Sequence, residues 1–206
     1  KEERSRVVPV ISMLKRRFPK IPVSVDTYKP AVAAAAIDAG VSIVNDINGL
    51  RTSGMARLVA RTGCAVCIMH MKGTPRTMQK NPVYDDVISE VYGFFVKRVE
   101  AARAAGIDDA QIILDTGIGF GKRMQDNLKL LSYHYEFSSL GFPLLAGVSR
   151  KSFLGAILEE PDPQKRSAGT IAAVSLAVAR GASIVRVHDV AQAVHALRVA
   201  QAILKA

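Results

Sequence analysis

Apolar runs rich in β-branched residues recur along this chain of 206 residues, and each is followed by a stretch with helical features. The runs are almost continuously hydrophobic rather than alternating, which is typical of parallel strands buried on both faces. Regular alternation of strand and helix predicts a parallel α/β fold. The six predicted strands are Ile21–Asp26, Ser42–Ile47, Ala65–Met71, Gln111–Asp115, Pro143–Val148 and Ser183–His188.

Residues typical of helix ends support this order of elements. Pro30 suits a first helical position and Gly40 the residue after a helix, so a helix is predicted over Ala31–Ala39. Gly106 and Gly181 are predicted to end two further helices. In the last helix, four apolar residues share one face, which we expect to pack in the core against the sheet. These residues are Val190, Val194, Leu197 and Leu204.

A doubly wound sheet and a (β/α)8 barrel both fit this order, and polar residues at the strand ends favour the barrel. The C-terminal strand ends of a barrel ring one mouth, where active sites are built. A doubly wound sheet instead gathers its ligand groups at one switch point. The polar strand ends are Asp26, Asn45 with Asp46, His70, Asp115, Arg150 with Lys151, and Arg186 with His188.

Six strands do not close an eight-stranded barrel. The chain opens with Glu2–Arg17, which is predicted to be a helix. Two further units of roughly 30 residues each would bring the total to the roughly 250 residues typical of the fold. We therefore expect residues 1–206 to form a single partial-barrel domain that lacks the first two strand units of a (β/α)8 barrel.

The formal net charge of +10 raises the question of an acidic partner. The basic residues are scattered, apart from Lys15-Arg16-Arg17, and there is no Trp, so we expect no nucleic-acid partner. No apolar run approaches the roughly 18–20 residues of a membrane span, and the chain does not open with a signal-peptide pattern. These features predict a cytoplasmic protein without a membrane partner, and an anionic small-molecule substrate explains part of the charge.

Arg186 and His188 form the first candidate site, because residues two apart on a strand project from the same face. A guanidinium beside an imidazole makes a strong oxyanion site. The alternative is a surface salt bridge to Asp189, and the apolar Ile184-Val185 before the pair favours the oxyanion site. The cluster Ser149-Arg150-Lys151-Ser152 offers further donors, although it also fits a helix-capping turn with exposed charges.

Asp115 ends a buried strand and precedes a glycine-rich turn that matches neither the dinucleotide fingerprint nor the P-loop. A buried carboxylate is costly unless it has a partner, and a ligand with paired N–H donors would supply one. The same reasoning applies to Asp26 and Asn45 on neighbouring strands. Asp46 adjoins Asn45 and must point the other way, so only one of the two faces the barrel axis.

Taken together, these motifs resemble the dihydropteroate synthase family. The likeness rests on V-D-T-Y-K-P, N-D-I, M-H-M-K-G-T-P-R-T-M-Q, L-D-T-G-I-G-F-G-K, S-R-K-S-F and R-V-H-D-V. It implies a homodimeric (β/α)8 barrel that joins p-aminobenzoate to 6-hydroxymethyl-7,8-dihydropterin diphosphate and releases diphosphate with the assistance of Mg²⁺. The family's Mg²⁺ ligand, an Asn on its first strand, would precede Lys1, so no metal ligand is named in this chain.

The resemblance also implies roles for individual residues. Asp26, Asn45, Asp115 and Lys151 would hold the pterin ring, whose edge alternates donors and acceptors. The catalytic set would be Asp26, Lys151, Arg186 and His188. Arg186 and His188 would bind the diphosphate. Ser149, Lys151 and Phe120 would border the pocket for p-aminobenzoate and sulfonamides. Met69 and Gly147 would line the slot for the pterin ring.

Cleavage of the methylene–oxygen bond leaves positive charge on the pterin and negative charge on the diphosphate. Carboxylates near the first and cations near the second stabilise the transition state. An aryl amine is unprotonated at neutral pH, so we expect no catalytic base and an S_N1-like displacement. One departure from the family is Thr116, where Pro is usual, and it loosens the turn by about 0.4–1 kcal/mol of chain entropy.

Two alternatives stay open on the sequence. One is a non-catalytic homologue that binds pterin without turnover. The other is a pterin-binding domain of the methyltetrahydrofolate:corrinoid methyltransferase type, which needs no diphosphate clamp. Lys151, Arg186 and His188 argue against the second alternative.

Overall fold

The computed structural model describes residues 2–206. Its strands are β1 (Ser24–Asp26), β2 (Ile43–Asp46), β3 (Ala65–Met69), β4 (Ile112–Asp115), β5 (Leu144–Ala146) and β6 (Ile184–Val185). Its helices are α1 (Glu2–Arg17), α2 (Pro30–Asp38), α3 (Met55–Thr62), α4 (Val87–Ala104), α5 (Met124–Ser132), α6 (Ser152–Leu158), α7 (Ser167–Ala179) and α8 (Val190–Leu204). All six predicted strands and the N-terminal helix are confirmed, with shorter strands than predicted.

The chain divides into two compact units, and the prediction of one domain over residues 1–206 stays a prediction. The first unit runs to His70 and resumes over Phe94–Leu114. Within it, β2 pairs in parallel with both β1 and β3, and its register sets Asp26 opposite Asn45. The side chains of Val44, Val66 and Ile68 are fully buried, as expected for parallel strands covered on both faces.

The second unit contains Met71–Gly93 and Asp115–Ala206. Its strands β5 and β6 are parallel neighbours, with Leu145 opposite Ile184 and Ala146 opposite Val185. A small core cluster lies next to them and is formed by Ala146, Ala177 and Ala182. Strand β6 is only partly buried, so the expectation that Arg186 and His188 follow a buried strand is wrong.

The predicted helix ends agree with the structure. Helix α2 begins at Pro30, and Gly40 follows its C-terminal cap with φ of 106°. Gly106 and Gly181 follow α4 and α7 with φ of 89° and 94°. Positive φ costs a glycine little, which is why glycine ends helices in this way.

The prediction for the last helix is wrong in one respect. Val190 is 60% exposed, Val194 and Leu204 are also exposed, and the buried residue of α8 is Ala193. Helix α8 contacts α7. Ala193 is the buried residue of α8. The face of α8 that packs inward is therefore not the face that carries Val190, Val194 and Leu204. Among the described residues, no helix is long and apolar enough to cross a membrane.

Candidate functional site

The end of β4 carries the buried carboxylate of Asp115, which is 6% exposed. Its Oδ1 accepts a hydrogen bond of 2.7 Å from the backbone N–H of Gly117. Burial raises the pKa of Asp115, and the charges of Lys151, Lys122 and Arg186 oppose that rise. Asp115 is therefore buried at a strand end, as the sequence predicted, and the structure adds that cations lie around it.

Lys151 is held over the turn that follows Asp115. Its ammonium donates to the carbonyl oxygen of Ile118 and lies 4.6 Å from the centre of the Phe120 ring, a cation–π contact. A Cβ at Gly119 would come within 2.9 Å of Lys151 Cδ, and Gly119 has φ of 81°. The glycine in this turn is thus required by the close approach of the lysine side chain.

Lys122 is a residue of this turn to which the sequence argument gave no role. It is only 4% exposed, and its ammonium donates to the carbonyl oxygens of Gly117 and Phe120, both at 3.0 Å. Burial lowers the pKa of Lys122 to about 7, with Asp115 and Asp126 acting against the fall and Lys151 adding to it. The sequence signal for Lys122 is its position at the end of the glycine-rich segment G-I-G-F-G-K. A lysine at the surface could occupy the same position, so the sequence does not show that Lys122 is buried.

A cavity of about 220 Å³ lies beside this turn in the second unit. The structure brings together here five of the predicted site residues. Asp115 also lies nearby, because its Oδ2 is 3.8 Å from the position that a Cβ on Gly147 would occupy. The cavity is lined by Gly147, Ser149, Lys151, Arg186, Val187 and His188.

Arg150 differs from its neighbour Lys151. Its guanidinium forms a two-point ion pair with Asp189, at 2.7 and 3.2 Å. Its backbone N–H donates to the hydroxyl of Thr170 at 3.0 Å. The salt bridge that was the alternative role for Arg186 is therefore made by Arg150, which fastens the segment after β5 to the segment after β6.

In the first unit, Asn45 and Asp26 lie opposite each other at the ends of β2 and β1. Asn45 is buried, and its Oδ1 has no hydrogen-bond partner within residues 2–206. Asp26 is exposed, so the argument from a buried carboxylate does not apply to it. The reason is that β1 stands at the end of the strand order. Met69, at the end of β3, is buried.

Asp46 does point away from the side chain of Asn45, as strand geometry requires. It is fully buried, and its two oxygens accept hydrogen bonds of 2.9 Å from the backbone N–H groups of Asn48 and Leu50. These bonds close the turn after β2. Asp46 therefore has a folding role, and Asn45 is the member of the pair that has an acceptor to offer.

Comparisons with known proteins agree with this geometry. A family model described as pterin binding enzyme matches residues 1–188 of the chain. Dihydropteroate synthase from Escherichia coli strain K12 is 43% identical over 205 residues, which cover 100% of this chain and 72% of that protein. The chain belongs to the dihydropteroate synthases. The predicted function, that of a transferase of the folate pathway, is confirmed.

Solved dihydropteroate synthases share the fold. The Xanthomonas albilineans enzyme in complex with 7,8-dihydropteroate is 44% identical, with a TM-score of 0.92 over 98% of this chain and 76% of that chain. The Yersinia pestis enzyme in complex with a sulfonamide drug is 42% identical, with a TM-score of 0.95 over 98% of this chain and 73% of that chain. The predicted α/β fold of the dihydropteroate synthases is therefore confirmed.

Thr116 is the position where the resemblance implies Pro. The residue is buried, and its hydroxyl has no hydrogen-bond partner among the described residues. An unpartnered buried hydroxyl costs about 1–3 kcal/mol. The departure therefore weakens the turn by a second route, in addition to the chain entropy expected from the sequence.

Proposed function

We propose that the cavity lined by Arg186, His188 and Lys151 binds the diphosphate of 6-hydroxymethyl-7,8-dihydropterin diphosphate, which this enzyme condenses with p-aminobenzoate. The convergence of a guanidinium, an ammonium and an imidazole on one cavity of about 220 Å³ carries the proposal. Guanidinium and ammonium groups bind phosphate oxygens through charge-assisted hydrogen bonds.

We propose that Asp115 and Lys151 bind the pterin ring. A carboxylate accepts from the N–H groups of a pterin edge, and an ammonium donates to its carbonyl and ring nitrogens. Asp115 lies among cations and beside Gly147, whose missing side chain leaves room for a flat ring. As the resemblance implies, Met69 and Gly147 would line the slot, and Asp26 and Asn45 would bind the same ring.

Lys151 also lies beside the proposed p-aminobenzoate pocket. Its ammonium lies over Phe120, and Phe120 and Ser149 would border the p-aminobenzoate pocket. The Yersinia pestis relative binds a sulfonamide drug, and we propose that sulfonamides compete with p-aminobenzoate at this pocket.

The charges support an S_N1-like displacement. Positive charge that develops on the pterin methylene would be stabilised by Asp115, and the negative charge of the leaving diphosphate by Arg186 and Lys151. The nitrogen of p-aminobenzoate already carries a lone pair at neutral pH, so no side chain is assigned as a base. The proton released on bond formation leaves with solvent or diphosphate.

Magnesium, a homodimer and a cytoplasmic location belong to the proposal as implied by the resemblance and the composition. Residues 2–206 contain no group of three or more His, Cys, Asp or Glu side chains that could hold a metal ion. No residue of this part of the chain is assigned to Mg²⁺, and no step of the reaction is assigned to the ion.

The test is calorimetric binding of the dihydropterin diphosphate, with and without Mg²⁺, to the chain and to Arg186→Ala. We expect the substitution to cost about 1.5–3 kcal/mol, the value of a charge-assisted hydrogen bond. The matched control is Arg198→Ala on α8, where the side chain is exposed and does not line the cavity. Equal losses in both variants would mean that general positive charge, rather than the proposed clamp, binds the diphosphate.

Turnover distinguishes this proposal from the non-catalytic alternative. We expect the chain to release diphosphate when both substrates are supplied, and Lys151→Met to abolish the release. Binding without release, in the chain and in a longer form that includes upstream sequence, would favour a pterin-binding homologue without catalysis.

A further inference from the structure

The Ser149 hydroxyl lies between two groups of one residue, His188. Ser149 Oγ is 2.8 Å from the ring nitrogen Nδ1 of His188 and 3.2 Å from the backbone nitrogen of the same residue. Ser149 is 7% exposed, so little water reaches its hydroxyl. The two distances together restrict which group donates in each hydrogen bond.

The backbone nitrogen of His188 can only donate, so it gives its N–H to Ser149 Oγ. The hydroxyl has one proton to donate, and we assign His188 Nδ1, 2.8 Å away, as its acceptor. A ring nitrogen that accepts a proton donor carries no hydrogen, so in the neutral ring the hydrogen is on Nε2. With this assignment, His188 is in the Nε2–H tautomer.

We infer that Ser149 is a positioning residue that holds His188 in the Nε2–H tautomer, so that the ring presents an N–H donor to an anionic oxygen in the cavity. The inference rests on the proposed role of His188 at the diphosphate. In the other tautomer Nε2 would present a lone pair, which repels an anion. A serine that fixes the tautomer thus decides whether the imidazole attracts or repels the leaving group.

The two backbone segments that carry Ser149 and His188 are also joined by contacts of the neighbouring residues. The adjacent residues Arg150 and Asp189 form the two-point ion pair described above, one residue further along each segment. The backbone N–H of Arg150 is also tied to Thr170. Ser149 and His188 are therefore held together by contacts that do not depend on their own hydrogen bond, and loss of the hydroxyl is expected to leave the two segments in place.

The first experiment is ¹⁵N NMR of the histidine rings in this chain without substrate. The chain has four histidines, and His188→Gln assigns the signals of His188 by their loss. We expect the pattern of a neutral ring protonated at Nε2, and in Ser149→Ala a mixture of tautomers. A ring protonated at Nδ1, or at both nitrogens, in the unsubstituted enzyme at neutral pH would overturn the inference, and so would a Ser149→Ala signal identical to that of the parent.

The second experiment is a double-mutant cycle on kcat/KM for the dihydropterin diphosphate. We expect Ser149→Ala to lower this value about tenfold, as loss of one hydrogen bond does. In a His188→Gln background the same change should have little effect, because glutamine presents its amide N–H without help from Ser149. Ser183→Ala, an exposed serine after α7, is the control and should match the parent.

The outcomes separate this inference from the function on which it rests. Equal losses from Ser149→Ala in both backgrounds would show that Ser149 acts on substrate directly, and would overturn the positioning role. If His188→Gln itself left kcat/KM unchanged, the proposed role of His188 would fail, whereas the NMR result would still report the tautomer. Melting temperatures of all variants show that each measurement is made on folded protein.

Discussion

Two buried carboxylates, those of Asp46 and Asp115, lie at the ends of strands β2 and β4 and have different partners. Asp46 ends β2 and gives both oxygens to backbone N–H groups of the next turn. Asp115 ends β4, accepts the N–H of Gly117 and lies among the charges of Lys151, Lys122 and Arg186. Burial raises the pKa of both, but backbone amides oppose that rise most at Asp46 and the Lys151 ammonium opposes it most at Asp115.

The comparison sets Asp46, whose hydrogen bonds complete a turn, against Asp115, which we propose binds the pterin ring. An acid whose oxygens are both bonded to its own turn has little left to offer a ligand, because a bound group would have to displace a backbone amide. Asp115 instead lies among cations that favour its ionised form, and an ionised carboxylate can accept the N–H groups of a ligand. The three predictions below test this difference, from the largest expected effect on stability to the smallest.

The largest effect is expected from Lys122, whose pKa is lowered from 10.5 to about 7 by burial, against the opposing charge of Asp115. Above pH 7 the folded chain has released a proton that the unfolded chain still holds up to about pH 10.5, so the free energy of unfolding rises with pH in this window. The contribution is about 1.4 kcal/mol for each pH unit, and about 5 kcal/mol over the window. We expect Lys122→Met to lose this rise.

Urea unfolding of the parent and of Lys122→Met across this pH window measures the effect. Lys129→Met is the control, because Lys129 is exposed and paired with Asp86 on the surface. Other groups, such as the buried hydroxyl of Tyr84, titrate equally in all three proteins and cancel in the differences. Parallel curves for the parent and Lys122→Met would show that the ammonium is not buried in solution.

An intermediate effect is expected from Asp46→Asn. The amide has one acceptor oxygen instead of two, so either Asn48 or Leu50 keeps a buried N–H without a partner. The loss is about 2 kcal/mol in the free energy of unfolding. Urea unfolding gives the stability and calorimetry the affinity for the dihydropterin diphosphate, which should stay unchanged in the folded variant. A tenfold loss of affinity at unchanged stability would reverse the roles of the two acids.

The smallest effect on stability is expected from Asp115→Asn. Since the pKa of Asp115 is raised, the ionised carboxylate lowers the stability of the free chain as the pH rises through that pKa. A neutral amide removes this loss and can still accept from Gly117, so the urea midpoint should stay equal or rise. The affinity for the dihydropterin diphosphate should fall about tenfold or more. A variant that binds normally would exclude Asp115 from the pterin site.

Much of this fold could be read from the sequence. The six apolar runs and the glycines after α2, α4 and α7 are local signals, and local signals predict elements well. The face of α8 could not be read, because the apolar stripe through Val190 and Val194 is exposed and the small Ala193 is buried instead. Which face of a helix is buried depends on the helix that packs against it, and the sequence of one helix does not identify that neighbour.

The candidate site was also only partly readable. The motifs placed Asp115, Lys151, Arg186 and His188 at the ends of their segments. They did not separate Lys151, which lies over the glycine turn, from Arg150, which pairs with Asp189. Adjacent residues point in different directions, so their partners follow from the path of the chain and not from residue type.

The sequence by itself determined the strands, the helix ends and the family, because periodicity, glycine positions and motif order are properties of short segments. Tertiary structure alone decided which acid completes a turn, that Lys122 is buried, and that Ser149 meets His188, a residue 39 positions away in the chain. The burial and the hydrogen-bond partners of a side chain depend on segments that are distant in the sequence. Burial and partners in turn set the charge of Asp115 and Lys122 and the tautomer that we infer for His188.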